Sequence, residues 1–205
     1  MIRSKSELKF FIQADLMLRT GSFKRSIKQR IIDVLAPDYV FQYIKVSRKC
    51  SYYSHKEGRR VPVLANFYKY RRQRLGMKLG FSISFDEIGY GVVIPHHGTI
   101  VIGSGNQIGN YAVFHTSTCI TAGKKIIGDG FYLATGAKVV KDIEVGNYVS
   151  VGANSVVNTN VPDNCMVAGM PARTIKESEA WYHRDGAEYT RRVRECERLK
   201  EKYQL

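Results

Sequence analysis

No apolar run in the 205 residues approaches the roughly 18 positions a membrane-crossing helix needs, and the start has no short apolar core of the secretory-signal kind. The expectation is a protein without a spanning helix or a leader. Cysteine is sparse: Cys50, Cys119, Cys165 and Cys196 are scattered without a CxxC pair, which suits reduced thiols in a cytoplasmic setting. Acidic residues are scarce at one end. Residues 1–80 hold 5 Asp/Glu against 19 Lys/Arg, residues 81–176 hold 6 of each and residues 177–205 hold 7 of each. The whole net charge of +14 therefore sits in the first segment. No helix-turn-helix, zinc or ribonucleoprotein motif accompanies it, so nucleic acid is not the expected partner. Two readings stay open: plain solvated helix faces, or attraction to an anionic surface such as membrane headgroups or a lipid-linked glycan, peripheral to the inner membrane face. Otherwise, 44% hydrophobic and 24% charged residues are ordinary for a globular protein.

What is present is a period of six. From Ile88 a branched aliphatic or aromatic residue returns at Ile94, Ile102, Ile108, Phe114, Ile120, Ile127, Leu133, Val139, Val145, Val151 and Val157. Helices need returns of three and four, and half-buried strands returns of two. A sustained six is the period of a hexapeptide β-helix, in which each hexapeptide makes one short strand and one corner. Glycine or asparagine takes the corner positions that need positive φ. About four coils are expected.

The count slips twice, between Ile94 and Ile102 and between Ile120 and Ile127, and the surplus residues must bulge from the wall. The first bulge contains Pro95-His96-His97-Gly98-Thr99. Three hexapeptides close a turn, so Ile94, Phe114, Leu133 and Val151 should stack in one column. By the same count His96, His115, Thr135 and Ala153 share a corner, two imidazoles beneath a strip of small residues along which a thin ligand could lie.

The flanks read as helices. Ser4-Lys5-Ser6-Glu7 has capping-box form and opens a helix to about Arg19, stopped by Gly21. Ser22 is the expected cap of a second, carrying Ile27, Ile31 and Leu35 and ended by Ala36-Pro37. A third is expected over 38–49, a loop from Ser51 to Arg60, and a fourth over about 63–78. In the fourth, Phe67, Tyr68 and Tyr70 are interleaved with basic residues and are expected to pack against the first coils. Beyond Lys176, the stripe Tyr189, Val193, Cys196, Leu199 and Tyr203, interrupted near Asp185-Gly186, predicts helix covering a prism end or a neighbouring subunit. The chain thus divides into a basic helical segment (1–80), a β-helix (81–173) and a C-terminal helical extension (174–205).

The stretches from Gly91 to Gly103, Leu133 to Val139, Val151 to Val157 and Ala168-Gly169-Met170-Pro171-Ala172-Arg173 resemble the serine acetyltransferase-like branch of the hexapeptide acyltransferases. The resemblance covers about residues 75–176. With Leu79-Gly80-Phe81-Ser82-Ile83 before the repeat, it is closest in flavour to the short form among capsule and exopolysaccharide O-acetyltransferases. It implies a left-handed parallel β-helix, mainly β with α extensions, assembled as a homotrimer whose pocket lies between subunits. It also implies acetyl-CoA as donor, and His96 as general base, matching the family's glycine-aliphatic-aliphatic-aliphatic-x-His pattern. Arg173 and Lys176 match its basic residues for the donor's nucleotide phosphates.

Moving an acetyl group from a thioester to a hydroxyl needs a base for the hydroxyl proton and donors for the oxyanion, and histidine suits the first task near neutral pH. His115 is the second catalytic candidate, able to orient the acceptor, polarise the thioester carbonyl or simply fill a turn. His97 is a candidate for acceptor contact. Thr135, Gly136, Ala153 and Asn154 are small enough to admit a pantetheine arm, and Asn158 is counted with them. Where serine-specific enzymes carry an acid before the histidine this chain has Pro95, and it has only Thr121-Ala122-Gly123-Lys124-Lys125 in place of their Arg-His loop. It has Phe81 where they place a supporting aspartate, with Asp86 or Glu87 as candidates to replace it. A sugar hydroxyl in polysaccharide biosynthesis is the expected acceptor, with L-serine as the alternative. A zinc enzyme of the γ-carbonic-anhydrase kind is a rival, but no third histidine stands in the repeat beside His96 and His115, so no metal is expected.

Overall fold

The computed structural model, which describes residues 2–56 and 61–205, turns the six-residue period into a three-walled prism, a left-handed parallel β-helix of about five turns. The first wall stacks Phe81–Ile83, Ile100–Ile102, Thr118–Ile120, Lys138–Val139 and Val156–Val157 in that order. The second stacks Gln107–Ile108, Ile126–Ile127 and Glu144–Val145, and the third Val113–Phe114, Tyr132–Leu133, Ser150–Val151 and Cys165–Gly169. Strand Ala172–Glu177 closes the third wall antiparallel. There is one more turn than the rung count gave, because Phe81–Ile83 already pairs with Ile100–Ile102. Every rung from Ile88 to Val157 is buried, forming one apolar column along the axis.

One corner is sewn by side chains. Asn110, Asp129, Asn147 and Asp163 stack one per turn, and the side-chain oxygen of each accepts the backbone N–H of the turn before, from Tyr90, Asn110, Asp129 and Asn147, at 2.7–3.2 Å. A parallel coil leaves such corner donors without strand partners, and a short Asx side chain satisfies them.

Helix α1 (Lys5–Thr20) is capped by Ser4, whose hydroxyl accepts from Glu7 N at 3.0 Å, and ends at Gly21 with φ 75°. Helix α2 (Ile27–Leu35) starts later than expected. Ser26, not Ser22, forms the capping box, because its partner three residues on is Gln29. The residue three after Ser22 is Arg25, which pairs with Asp33 and Asp38 instead. Helix α3 (Tyr39–Ser54) overruns the expected loop as far as Ser54, since Cys50, Ser51 and Tyr52 are buried and packing carries the helix through polar sequence. Of the rest of that expected loop, His55 caps the end of α3, and residues 57–60 lie outside the described residues. Helix α4 (Val61–Leu79) meets the coil through its end, at Leu75, Gly76 and Leu79. Phe67 and Tyr70 are exposed rather than packed on the coils, and Tyr68 stacks on Tyr53 of α3, 5.3 Å between centroids.

Helices α5 (Trp181–Arg184) and α6 (Ala187–Tyr203) cover a flank of the prism rather than an end. Their apolar face joins Phe10, Ala14, Met17 and Leu18 of α1 over Tyr90 and Tyr111. The Trp181 indole N–H donates to Tyr111 O at 2.8 Å, and Glu197 accepts from both Tyr90 and Tyr111. Deeper still, Asp15 of α1 and Arg48 of α3 form a fully buried ion pair at 2.8 Å. Arg48 also donates to the carbonyls of Ile88 and Gly89, both at 2.6 Å, and Asp15 accepts from Val92 N at 2.9 Å, so the helices are bolted to the first turn of the coil.

Candidate active site

The corner between the third and first walls carries the histidines. Ile94 ends a rung of the third wall, and Ile100 begins the next strand of the first, so residues 95–99 must bulge, which exposes His96 and His97. Arg19 steadies the root of this bulge by donating to Ile94 O at 2.9 Å. Asp38 holds Arg19 at 2.5 Å, accepts from Arg25 at 3.0 Å and caps α3 through Phe41 N. Burial pushes the Asp38 carboxyl up, but the hydrogen bonds from Arg19 and Phe41 N, with the charge of Arg19, outweigh it and hold the group below its ordinary value.

His115 lies one turn along and is half-buried. Burial lowers its pKa first, the charge of neighbouring His96 lowers it further, and Asp185 and Arg184 act in opposite directions. Val93 pairs with Val113, which brings the start of the bulge that carries His96 alongside His115. The ring of His115 sits 5.0 Å from that of Tyr132, and the Arg184 guanidinium lies 4.6 Å over Tyr132. Arg184 also donates to Ser150 Oγ at 3.1 Å and to Asp185 at 2.7 Å. The end of α5 thus brings an arginine and an aspartate to the histidine corner. Nothing local in the sequence signals this, since Asp185 reads there as a helix breaker.

The corner register differs from the counted one by a residue. Gly136 N donates to Thr116 O and Asn154 N to Thr135 O, so the line is Thr116, Thr135, Ala153. His115 aligns instead with Ala134. Beside this line Gly136, with φ 75°, leaves no room for a side chain against Asn154 Oδ1. Thr135, Ala153 and Asn154 are exposed along the strip, and Arg173, paired opposite Ala168, stands with exposed Lys176 at its C-terminal end. Asn158 is elsewhere: it follows Val157 at the far edge of the first wall, where its side-chain oxygen is buried without a hydrogen-bond partner among the described residues. Asp86 also lies past that far edge, between Ile83 and Ile88, and is not brought to His96 within one chain. His97 lines a cleft of about 490 Å³ with Arg19, Asp38, Tyr39 and Lys78. Among the described residues no three His, Cys, Asp or Glu side chains are grouped to hold a metal ion.

These features fit acetyl-CoA as a donor. The strip offers small side chains for a narrow arm, Asn158 Oδ1 is an acceptor lacking a donor such as an amide N–H, and Arg173 and Lys176 are cations for phosphates.

A prism of hexapeptide turns with paired histidines at one corner defines the class, a hexapeptide-repeat β-helix protein. Its coils are similar in sequence to serine acetyltransferases, 34% identical over 113 residues to that of Haemophilus influenzae and 38% over 105 to that of Bacillus pumilus. The matches cover 48% of this chain in both cases, and 42% and 48% of those proteins, so the chain spans less than half the length of these curated relatives. The structure is similar to that of Neisseria gonorrhoeae serine acetyltransferase in complex with serine, with TM-score 0.63, 22% identity, and coverage of 82% of this chain and 69% of that one. It is also similar to the Brucella abortus enzyme in complex with coenzyme A, with TM-score 0.61, 23% identity, and coverage of 84% and 68%. No family model matches the chain.

Proposed function

We propose that the protein is an acetyl-CoA-dependent O-acetyltransferase. The observation that carries this reading is the juxtaposition of His96 and His115 at the foot of a small-residue strip, on coils similar to those of serine acetyltransferases. Acetyl-CoA, when bound, supplies an activated acyl group. His96 takes the proton of the acceptor hydroxyl as its oxygen attacks the thioester carbonyl, and returns that proton to the departing sulfur. His115, whose neutral form is favoured by burial and then by His96, is suited to orient the acceptor or to donate one hydrogen bond to the developing oxyanion.

The names of the relatives favour L-serine as acceptor over the sugar hydroxyl that the sequence suggested. Arg184 and Asp185 stand near His115 paired with each other at 2.7 Å, so they offer a zwitterion its two opposite charges by exchanging partners. The sugar reading retains specific support in Pro95, in place of an acid beside His96, and in Thr121-Ala122-Gly123-Lys124-Lys125, in place of an Arg-His loop. The reading includes a homotrimer. Thr135 and Asn154 stand on one edge of the first wall and Asn158 on the other, so one chain cannot close a groove over both, whereas a neighbouring copy can. Thiol release from acetyl-CoA, measured with L-serine and with a panel of nucleotide sugars and oligosaccharides, tests the acceptor. Turnover with L-serine at millimolar concentration is expected, and turnover with sugars alone would return the acceptor to a glycan.

A further inference from the structure

Helix α2 is built inside out. A globular helix turns its apolar stripe to the core and its charges to water. In α2 no residue is buried, and Ile27, Val34 and Leu35 are 79%, 78% and 85% exposed, with Ile31 and Ile32 also open. The side that faces the protein is polar. Asp33 pairs with Arg25 at 3.5 Å, and Arg25 is in turn anchored to Asp38 at 3.0 Å and lies 5.5 Å over the Phe41 ring. The capping box of Ser26 and Gln29 starts the helix from its own residues, so α2 does not owe its form to burial.

From this we infer that α2 docks the protein on an anionic phospholipid surface, its aliphatic face entering the headgroup boundary. The charges fit that occupant. Lys24, Lys28 and Arg30 are exposed around the apolar face, none has an ion-pair partner among the described residues, and the one acidic residue of α2 is spent on Arg25. A second copy of this face would set cations against cations, whereas anionic headgroups neutralise them. The surrounding segment carries the entire excess of positive charge. An apolar face rimmed by Lys and Arg is the composition of interfacial helices. No described helix is long and apolar enough to cross a membrane, so docking is peripheral. The helix runs through Pro37 into Asp38, and both line the cleft that contains His97, so the docked surface lies alongside the histidine corner.

The test is co-sedimentation of the whole protein with vesicles of phosphatidylcholine, with and without about one-third phosphatidylglycerol. Binding is expected only with the anionic lipid and should weaken steeply with salt. Replacing Lys24, Lys28 and Arg30 together by Gln should weaken it on the order of 100-fold, and Ile31→Glu with Leu35→Glu should abolish it. Thermal melting of each variant checks that the fold is retained, since α2 buries nothing. Binding by the wild type that none of these substitutions alters would overturn the assignment. So would no binding by the wild type, or a drop in oligomeric mass in the Ile31→Glu, Leu35→Glu variant without any vesicle binding by the wild type. The last result would mark the face as a contact between copies.

Discussion

Asp15 and Arg48 are fully buried, and each is satisfied twice, by the other and by the backbone of the first turn of the coil. Removing one partner strands the other charge, and a broken buried pair costs about 3–5 kcal/mol. Arg48→Ala should therefore lower the unfolding free energy in urea by about that amount, and Asp15→Leu with Arg48→Met should recover most of it. His115 gives the pH-dependent counterpart. Its folded pKa is lowered, by burial first and by His96 second, while the unfolded value is about 6.5. Between those two values the unfolded chain binds the extra proton. The stability His115 confers is thus full above the unfolded value and is lost as pH falls through the folded one. His115→Gln should flatten the decline in urea midpoint below about pH 6.5, and an unchanged decline would place the titration elsewhere. That His96 and His115 share a corner was legible in the sequence, but the Asp15–Arg48 pair and the approach of Arg184 were not. Asp15 and Arg48 are 33 residues apart in different helices, and Arg184 reaches the corner of His115 from beyond the end of the repeat. Local pattern carries no trace of such contacts.

The elements themselves were far more legible. A six-residue return is a property of the coil geometry, so the rungs could be counted to their columns, and Phe114, Leu133 and Val151 stack as the count required. At the corner His115 falls one residue short of the counted line, because it follows its rung by one position whereas His96, Thr135 and Ala153 follow theirs by two. The start of α2 was missed because Ser22 and Ser26 both look like caps, and only the partner three residues on decides between them. Helix α1 also touches the bulge. Arg19 touches no substrate position in this account, but it holds Ile94 O two residues before His96. Arg19→Ala should reduce kcat by up to about 100-fold while KM for acetyl-CoA stays near wild type, since small displacements of a catalytic group cost rate rather than donor binding. A change confined to KM, or to melting temperature, would give Arg19 a merely structural role.

At the scale of the molecule, charge and chemistry occupy different parts. The coil balances its charges and carries the candidate groove, while the helical segment holds the excess of cations and the outward face of α2. Composition alone made that division readable, but it could not say which helix face was open, because that depends on how Arg25 is anchored. The central claim is that the corner of His96 performs acyl transfer. The most direct measurement is acceptor-dependent thiol release from acetyl-CoA by wild type and by His96→Ala, with coenzyme A binding measured on the same preparations. The variant should lose about 100-fold to 10,000-fold in rate with coenzyme A affinity nearly unchanged. A variant that binds coenzyme A and keeps more than about half of the wild-type rate would contradict the claim, because a general base contributes far more than a factor of two.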